Sequence, residues 1–334
     1  MSSKNIDAIA KKLLKFPNVT GYAKTLQKRR KGDKIIEEWV IQIHVVKKVP
    51  ERELRKTDIL PKSIDDIAID VVAVGSLKAP PEGSYETQTK KTDDIDPLVA
   101  GISIGNAAIT AGTLGWFMEK NGEVFLGSNA HILSDEPKNL VSSEKRILQP
   151  GKYDGGTETV AEYYWHKQLQ PLAPSECQFA QGVVEILNLL STALGRKSRF
   201  QAVLQETNHI DFAVAKMMVA YKKTFFDTDF SPNTFKFVGF GFAGSDQISL
   251  TCRQKYILME GYRPCDFDVT DVEIGDTLHK TGRTSCHSTA KVVVPSAYEI
   301  VGYGTYQVAF DDVILSEHLL DPGDSGSSVW TEMS

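Results

Sequence analysis

Apolar positions change their period twice along the chain. Ile6, Ile9, Ala10, Leu13 and Leu14 recur at three- and four-residue intervals, the spacing of one helix face, and Phe16-Pro17 ends the run. From Val19 the period falls to two. A strand over Val19 to Gln27, a basic turn at Lys31-Gly32-Asp33 and a strand over Ile35 to Val46, with Trp39, Ile41, Ile43 and Val45 on one face, predict a hairpin. A third strand over Ile67 to Val74 completes a small α/β domain at residues 1–78. His44 alternates onto the face opposite Ile41 and reads as a solvated sheet residue. Residues 79–99, rich in Pro, Gly, Ser, Thr, Lys and Asp and without apolar period, read as an exposed linker.

Beyond residue 100 the pattern becomes that of short strands divided by turns. Leu114 to Met118 and Glu123 to Ser128 flank Asn121-Gly122, a strong hairpin signal, and this hairpin delivers His131 directly after its second strand. A helix is expected over Glu176 to Leu194, with Phe179, Val183, Ile186, Leu187 and Leu190 on one stripe and Gly195 as its stop. Strand-like runs return at His209 to Ala215, Phe235 to Phe242, Ile248 to Cys252, Ala290 to Val294, Tyr306 to Phe310 and Ser327 to Trp330. So many short strands predict a mainly β second part, a sandwich or barrel.

Composition narrows the class. The 334 residues are 41% apolar and 24% charged, a globular balance, with a formal charge of −5 that offers nothing to a nucleic acid partner. Lysines interrupt the first sixteen residues and no run reaches membrane-spanning length, so the expectation is a cytoplasmic chain without membrane partner. Cys177, Cys252, Cys265 and Cys286 lack C-x-x-C spacing and read as free thiols; no metal or other cofactor is expected. His166, His209, His279 and His318 lack ligand spacing and read as surface or structural residues. The cluster Lys28-Arg29-Arg30-Lys31 reads as a solvated turn, with contact to nucleic acid as a weaker second reading.

Three stretches carry candidate chemistry. In Asp321-Pro322-Gly323-Asp324-Ser325-Gly326-Ser327 a serine lies between glycines that permit a tight turn with inward N–H groups. Alone, this is ordinary turn composition. A serine hydroxyl needs an imidazole to take its proton and a carboxylate to orient that imidazole. His131 stands in Ser128-Asn129-Ala130-His131-Ile132-Leu133. Asp211 stands in an otherwise apolar run, Ile210-Asp211-Phe212-Ala213-Val214-Ala215, where a buried charge demands a partner. The bland alternatives are a satisfied core histidine and a turn aspartate. Cys286-His287 is not a nucleophile–base pair, because adjacent strand residues face opposite ways.

In order and wording these stretches resemble the chymotrypsin-like serine peptidases, closest to an intracellular bacterial, archaeal and phage branch with a small α/β region before the peptidase domain. Ile109 to Gly115, Gly275 to Thr284 and Phe310 to Ile314 are similar to further stretches of that branch. The resemblance covers nearly all of Ile102 to Trp330. It implies two six-stranded β-barrels with a cleft between them over residues 100–334. It further implies Ser325 as nucleophile, His131 as general base, Asp211 as orienting carboxylate, and the N–H groups of Gly323 and Ser325 as oxyanion hole.

Two departures stand out. Ser285-Cys286 follows Gly-Arg-Thr where the branch has a glycine, and only nine residues follow Ser325, whereas the family continues there with the strands that wall its substrate pocket. The wall is truncated, supplied by another chain, or relocated. Phe237 to Ser245 resembles the family's post-serine segment, so a permuted second barrel is expected. Gly241, Phe242, Ala243, Gly244 and Ser245 then offer an edge to an extended peptide, with Leu319 at the pocket floor and an apolar or small preference. The expectation is a serine endopeptidase acting on protein or peptide substrates, active without zymogen cleavage. The alternative is an inactive peptidase-like scaffold that binds peptides or assembles with other proteins. Oligomeric state is not legible.

Overall fold

The computed structural model describes residues 3–31, 34–79, 98–109, 111–134, 144–174, 203–204, 207–218 and 233–332. The helix expected over Glu176 to Leu194, Cys177, and nearly all of the expected linker lie outside the described residues.

The N-terminal residues form α1 (Ser3–Lys11) and the strands β1 (Val19–Ala23), β2 (Gln27–Lys31), β3 (Lys34–Val45), β4 (Ser63–Ile64) and β5 (Ile67–Ala73). The basic cluster is itself strand β2, a register the alternation did not show. Lys28 and Arg29 pair with Glu37 and Glu38 on the neighbouring strand at 2.7 and 2.6 Å. Strand β3 pairs in parallel with β5 and antiparallel with β1. His44 is not solvated: it is fully buried and bonded through Nδ1 to Glu299. The cause is Gly21, which opposes both residues across the ladder; a Cβ there would stand 2.3 Å from the Glu299 carboxylate. Burial raises the Glu299 carboxyl above the usual range, and His44 only partly offsets this.

The strands that follow are β6 (Ser103–Asn106), β7 (Gly112–Thr113), β8 (Trp116–Lys120), β9 (Glu123–Ser128), β10 (Arg146–Leu148), β11 (Thr159–His166) and β14 (Ala213–Met217), with α2 (Ala130–Leu133) after β9 and the short pair β12 (Ala173–Pro174) and β13 (Val203–Leu204). Their sheet runs β8-β9-β14-β11-β10-β6-β7, with β17 (Arg263–Pro264) beside β8. Strands β7 and β8 stand at opposite ends of that order, yet only Leu114 and Gly115 separate them. A connection so short forces the sheet to close on itself. The bend is sutured on both sides, by Leu114 N–H to Ile102 O at 2.9 Å and Gly115 N–H to Gly127 O at 3.0 Å. This is the first barrel, filled by Leu98, Ile102, Phe117, Leu126, Val160 and their neighbours.

The second barrel is built from β15 (Phe235–Gly244), β16 (Ile248–Arg253), β18 (Thr277–Gly282), β19 (Cys286–Tyr303), β20 (Tyr306–Glu317) and β21 (Ser328–Glu332). The order β18-β21-β15-β16-β20-β19 returns to its start because β18 also pairs with β19. All six pairings are antiparallel. The chain is thus a mainly β fold of two barrels, consistent with the expected chymotrypsin-like architecture. Strand β15, the segment expected as the relocated wall, precedes the serine in sequence yet lies beside the strand that follows it, Gly239 and Phe240 opposing Val329 and Ser328.

A shared core of Trp116, Phe125, Phe212, Phe240 and Trp330 cements the two barrels. Trp116 meets Trp330 edge to face at 4.9 Å, the arrangement aromatic quadrupoles favour. Strand β19 is long enough to leave the second barrel and pair Ala297 to Glu299 with β1, so the N-terminal strands continue the second barrel's sheet. No helix among the described residues is long and apolar enough to cross a membrane.

Candidate active site

Asp211 lies just before β14, and the apolar run around it is the reason it is fully buried. Four donors converge on its carboxylate. The N–H groups of Ala130 and His131 reach Oδ1 at 2.6 and 3.3 Å, while His131 Nδ1 and the Tyr303 hydroxyl reach Oδ2 at 2.6 and 2.7 Å. Burial alone would push this carboxyl up, but the charge of His131 and the bonds from His131, Tyr303 and Ala130 hold it below the ordinary aspartate range. With Nδ1 as the donor to an ionised Asp211, the neutral form of the ring carries its lone pair on Nε2. His131 Nε2 is buried and makes no hydrogen bond among the described residues. Asn129 anchors the approach, its Nδ2 donating to Asp211 O at 2.8 Å.

The serine turn is fixed by glycine chemistry. Gly323 and Gly326 adopt φ of +97° and +92°, a region that side chains disfavour. A Cβ on Gly323 would stand 2.3 Å from Thr284 Oγ1, and one on Gly326 2.0 Å from Ser128 Oγ. The first barrel holds the turn through Thr113, whose N–H donates to Ser325 O at 2.9 Å and whose Oγ1 donates to Gly323 O at 3.0 Å. Ser128, three residues before His131, donates to Thr113 O at 2.7 Å. Histidine and serine hairpins are thereby tied together. Within the turn the N–H groups of Asp324, Gly326 and Ser327 all have carbonyl partners. Those of Gly323 and Ser325 donate to no group among the described residues, as an oxyanion site requires.

The Ser325 hydroxyl is turned toward Phe242 O, at 3.4 Å. Strand β15, expected as the wall, lies beside the serine turn. Gly326 N–H donates to Gly241 O at 2.9 Å and Gly241 N–H to Ser327 O at 3.0 Å, while Ala243, Gly244, Ser245, Leu320 and Ser325 line one cavity of about 490 Å³. Leu319 and Leu320 both pack into the second barrel with Val238 and Val329, and Leu320 also lines the cavity. Ser249 Oγ accepts the N–H groups of both leucines, at 2.9 and 3.0 Å.

Beneath the serine, Asp324 forms a fully buried pair with Lys280 at 2.6 Å. Its carboxylate also accepts the N–H groups of Thr284, Ser285 and Asp321 and the Ser285 hydroxyl. Ser285, the departure after Gly-Arg-Thr, is therefore part of the support under the turn, and the cation is internal to the chain. Arg283 locks the same loop to the first barrel through a two-point contact with Asp154.

Sequence reasoning missed Tyr303, Thr113, Ser128 and Lys280. No local motif marks them: Tyr303 stands 92 residues from Asp211 and meets it only through the curl of β19. Tyr303→Phe is expected to lower kcat about tenfold, the value of one hydrogen bond to a buried anion. The acid limb of kcat/KM should also move to higher pH, since Asp211 loses a bond that favours its ionised form. A tenfold loss with an unmoved pH profile would assign Tyr303 a packing role only.

Among the described residues, Cys252, Cys265 and Cys286 are free thiols, and no group of three or more His, Cys, Asp or Glu side chains could hold a metal ion. No protein-family model matches the chain, and no curated protein matches it. Among solved structures it is similar to one described as a glutamic-acid-specific serine protease with a histidine triad in substrate binding, at 11% identity, covering 70% of this chain and 79% of that one, with a TM-score of 0.36. The two barrels accordingly stand on the strand order of this chain.

Proposed function

We propose that the protein is a serine endopeptidase. The observation that carries this reading is the buried Asp211 carboxylate, which fixes His131 while its buried Nε2 has no hydrogen-bond partner among the described residues, in a site whose serine turn presents two unpartnered N–H groups. Ser325 Oγ attacks the scissile carbonyl carbon as His131 Nε2 takes its proton. The N–H groups of Gly323 and Ser325 stabilise the oxyanion, a contribution of about 3–4 kcal/mol per donor. Collapse of the tetrahedral intermediate breaks the C–N bond, and His131 gives its proton to the departing amine. A water, deprotonated by His131, then attacks the acyl-enzyme, and collapse returns the proton to Ser325.

One rearrangement precedes this sequence. The hydroxyl must leave Phe242 O for His131 Nε2, and a 3.4 Å contact is too long to oppose that rotation strongly. The internal Lys280 supports a turn formed without a freed N-terminus, hence activity without zymogen cleavage. Membership of the intracellular branch, a cytoplasmic location and peptide substrates with apolar or small side chains belong to the same proposal.

The second reading, a peptide-binding scaffold without catalysis, is favoured by that same rotated hydroxyl. Turnover of a diverse peptide mixture separates the two. Wild type is expected to generate new termini, while Ser325→Ala and His131→Ala do not; equal product from all three, or none from any, overturns the proposal.

A further inference from the structure

The peptide-binding edge of β15 is not empty. At Gly244 the ladder with β16 leaves the N–H and C=O pointing outward, on the edge where Phe242 O faces Ser325. Residue Lys78 takes both groups: its N–H donates to Gly244 O and Gly244 N–H donates to its carbonyl, each at 3.1 Å, in an antiparallel bridge. The next position is fastened from the other side. Ala79 N–H donates to Gly302 O and Gly302 N–H to Leu77 O, both at 3.0 Å. Leu77 and Ala79 are buried while Ser76 and Lys78 are exposed, the alternation of a docked strand. Upstream, Ser245 Oγ donates to Val74 O at 2.6 Å. Being antiparallel, the segment runs from Gly244 toward Phe242 and Ser325, and Gly75, Ser76 and Lys78 line the cavity that holds the nucleophile.

We infer that residues 74–79 are a built-in occupant of the substrate-binding edge, so that an extended peptide must displace part of this protein's own chain before it pairs with β15. The inference rests on the peptidase reading of Ser325. Two hydrogen bonds to one glycine, from a residue that has no other backbone partner there, are what a peptide gains by strand addition. A tethered occupant competes at an effective concentration in the millimolar range, which short peptides binding through a few ladder bonds do not overcome. The bridge sits at Gly244, two residues from the Phe242 carbonyl that faces Ser325, and Ser325, though buried, lines the cavity. A small acylating group that enters the cavity therefore needs no pairing with Gly244, whereas the benefit of a longer substrate is suppressed.

The test compares two probes that phosphonylate a serine nucleophile, the diphenyl phosphonate of leucine and its tetrapeptidyl extension. In wild type the longer probe is expected to label Ser325 within about twofold of the rate of the shorter. In Lys78→Pro, which removes the donor to Gly244 O, the long-to-short ratio is expected to rise about fivefold, the worth of one ladder bond. As a readout independent of that variant's folding, wild type carrying the tetrapeptidyl adduct should show faster hydrogen exchange at the Lys78 and Ala79 amides than wild type carrying the leucine adduct. A wild-type ratio above about tenfold, an unchanged ratio in folded Lys78→Pro, or unaltered exchange overturns the inference while leaving the peptidase reading intact. Failure of both probes and of a fluorophosphonate to label Ser325 overturns the peptidase reading itself.

Discussion

Asp211→Asn is expected to lower kcat about 10⁴-fold at neutral pH, the largest effect of any conservative change in this chain. The four donors that converge on the carboxylate can be satisfied only by an acceptor at both oxygens. An amide presents one oxygen and one NH₂. Whichever way it turns, either the Ala130 N–H or His131 Nδ1 meets a donor. If the oxygen keeps the backbone donors, the imidazole relieves the clash by moving its proton to Nε2 and ceases to be a base. The pH dependence of stability should change as well. Because the folded-state Asp211 carboxyl lies below its ordinary value, it adds stability above the unfolded pKa of about 3.9, and this is lost as pH falls through the lower folded value. The asparagine variant lacks that acid-limb contribution. Ester hydrolysis kinetics and thermal unfolding between pH 2 and 7 measure both effects; kcat within tenfold of wild type contradicts the role assigned to Asp211.

Lys280→Met is expected to destabilise the fold by about 3–5 kcal/mol, because it strands a buried carboxylate. Neither Lys280 nor Asp324 has any side-chain exposure. Asp324 keeps its backbone donors from Thr284, Ser285 and Asp321, but the counter-charge goes, and its desolvation is no longer balanced. Since Asp324 precedes the nucleophile, the turn should loosen and fluorophosphonate labelling slow in parallel. Adding Asp324→Asn to Lys280→Met removes the stranded charge and should restore part of the stability. Denaturant unfolding of the single and double variants checks this; a single variant within about 1 kcal/mol of wild type contradicts it.

Much of the candidate site was legible in the sequence for a chemical reason. His131, Asp211 and Ser325 each sit in a stretch whose composition is odd for its setting: a histidine where a strand gives way to small residues, a charge inside an apolar run, a serine between glycines. The place of β15 beside the strand after the serine was legible because that segment keeps its own glycine-rich wording wherever it falls in the chain. The supporting residues were not, since Tyr303, Thr113 and Lys280 act through contacts between strands distant in sequence. His44 misled because alternation assigns faces but not what covers them, and Gly21 carries no side chain to announce the buried Glu299 behind it. Leu319 and Leu320 are adjacent and alike, so nothing in the sequence tells that Leu320 lines the cavity. The docked segment at 74–79 was invisible too, because its bonds go to Gly244 and Gly302 rather than to its neighbours in sequence.

Covalent labelling of the wild-type protein with a fluorophosphonate, followed by mass mapping of the modified peptide, tests the central claim most directly. One adduct is expected, on Ser325, abolished in Ser325→Ala and strongly slowed in His131→Ala. An unlabelled wild type, or a Ser325→Ala variant that labels as wild type does, would contradict the assignment of Ser325 as an activated nucleophile.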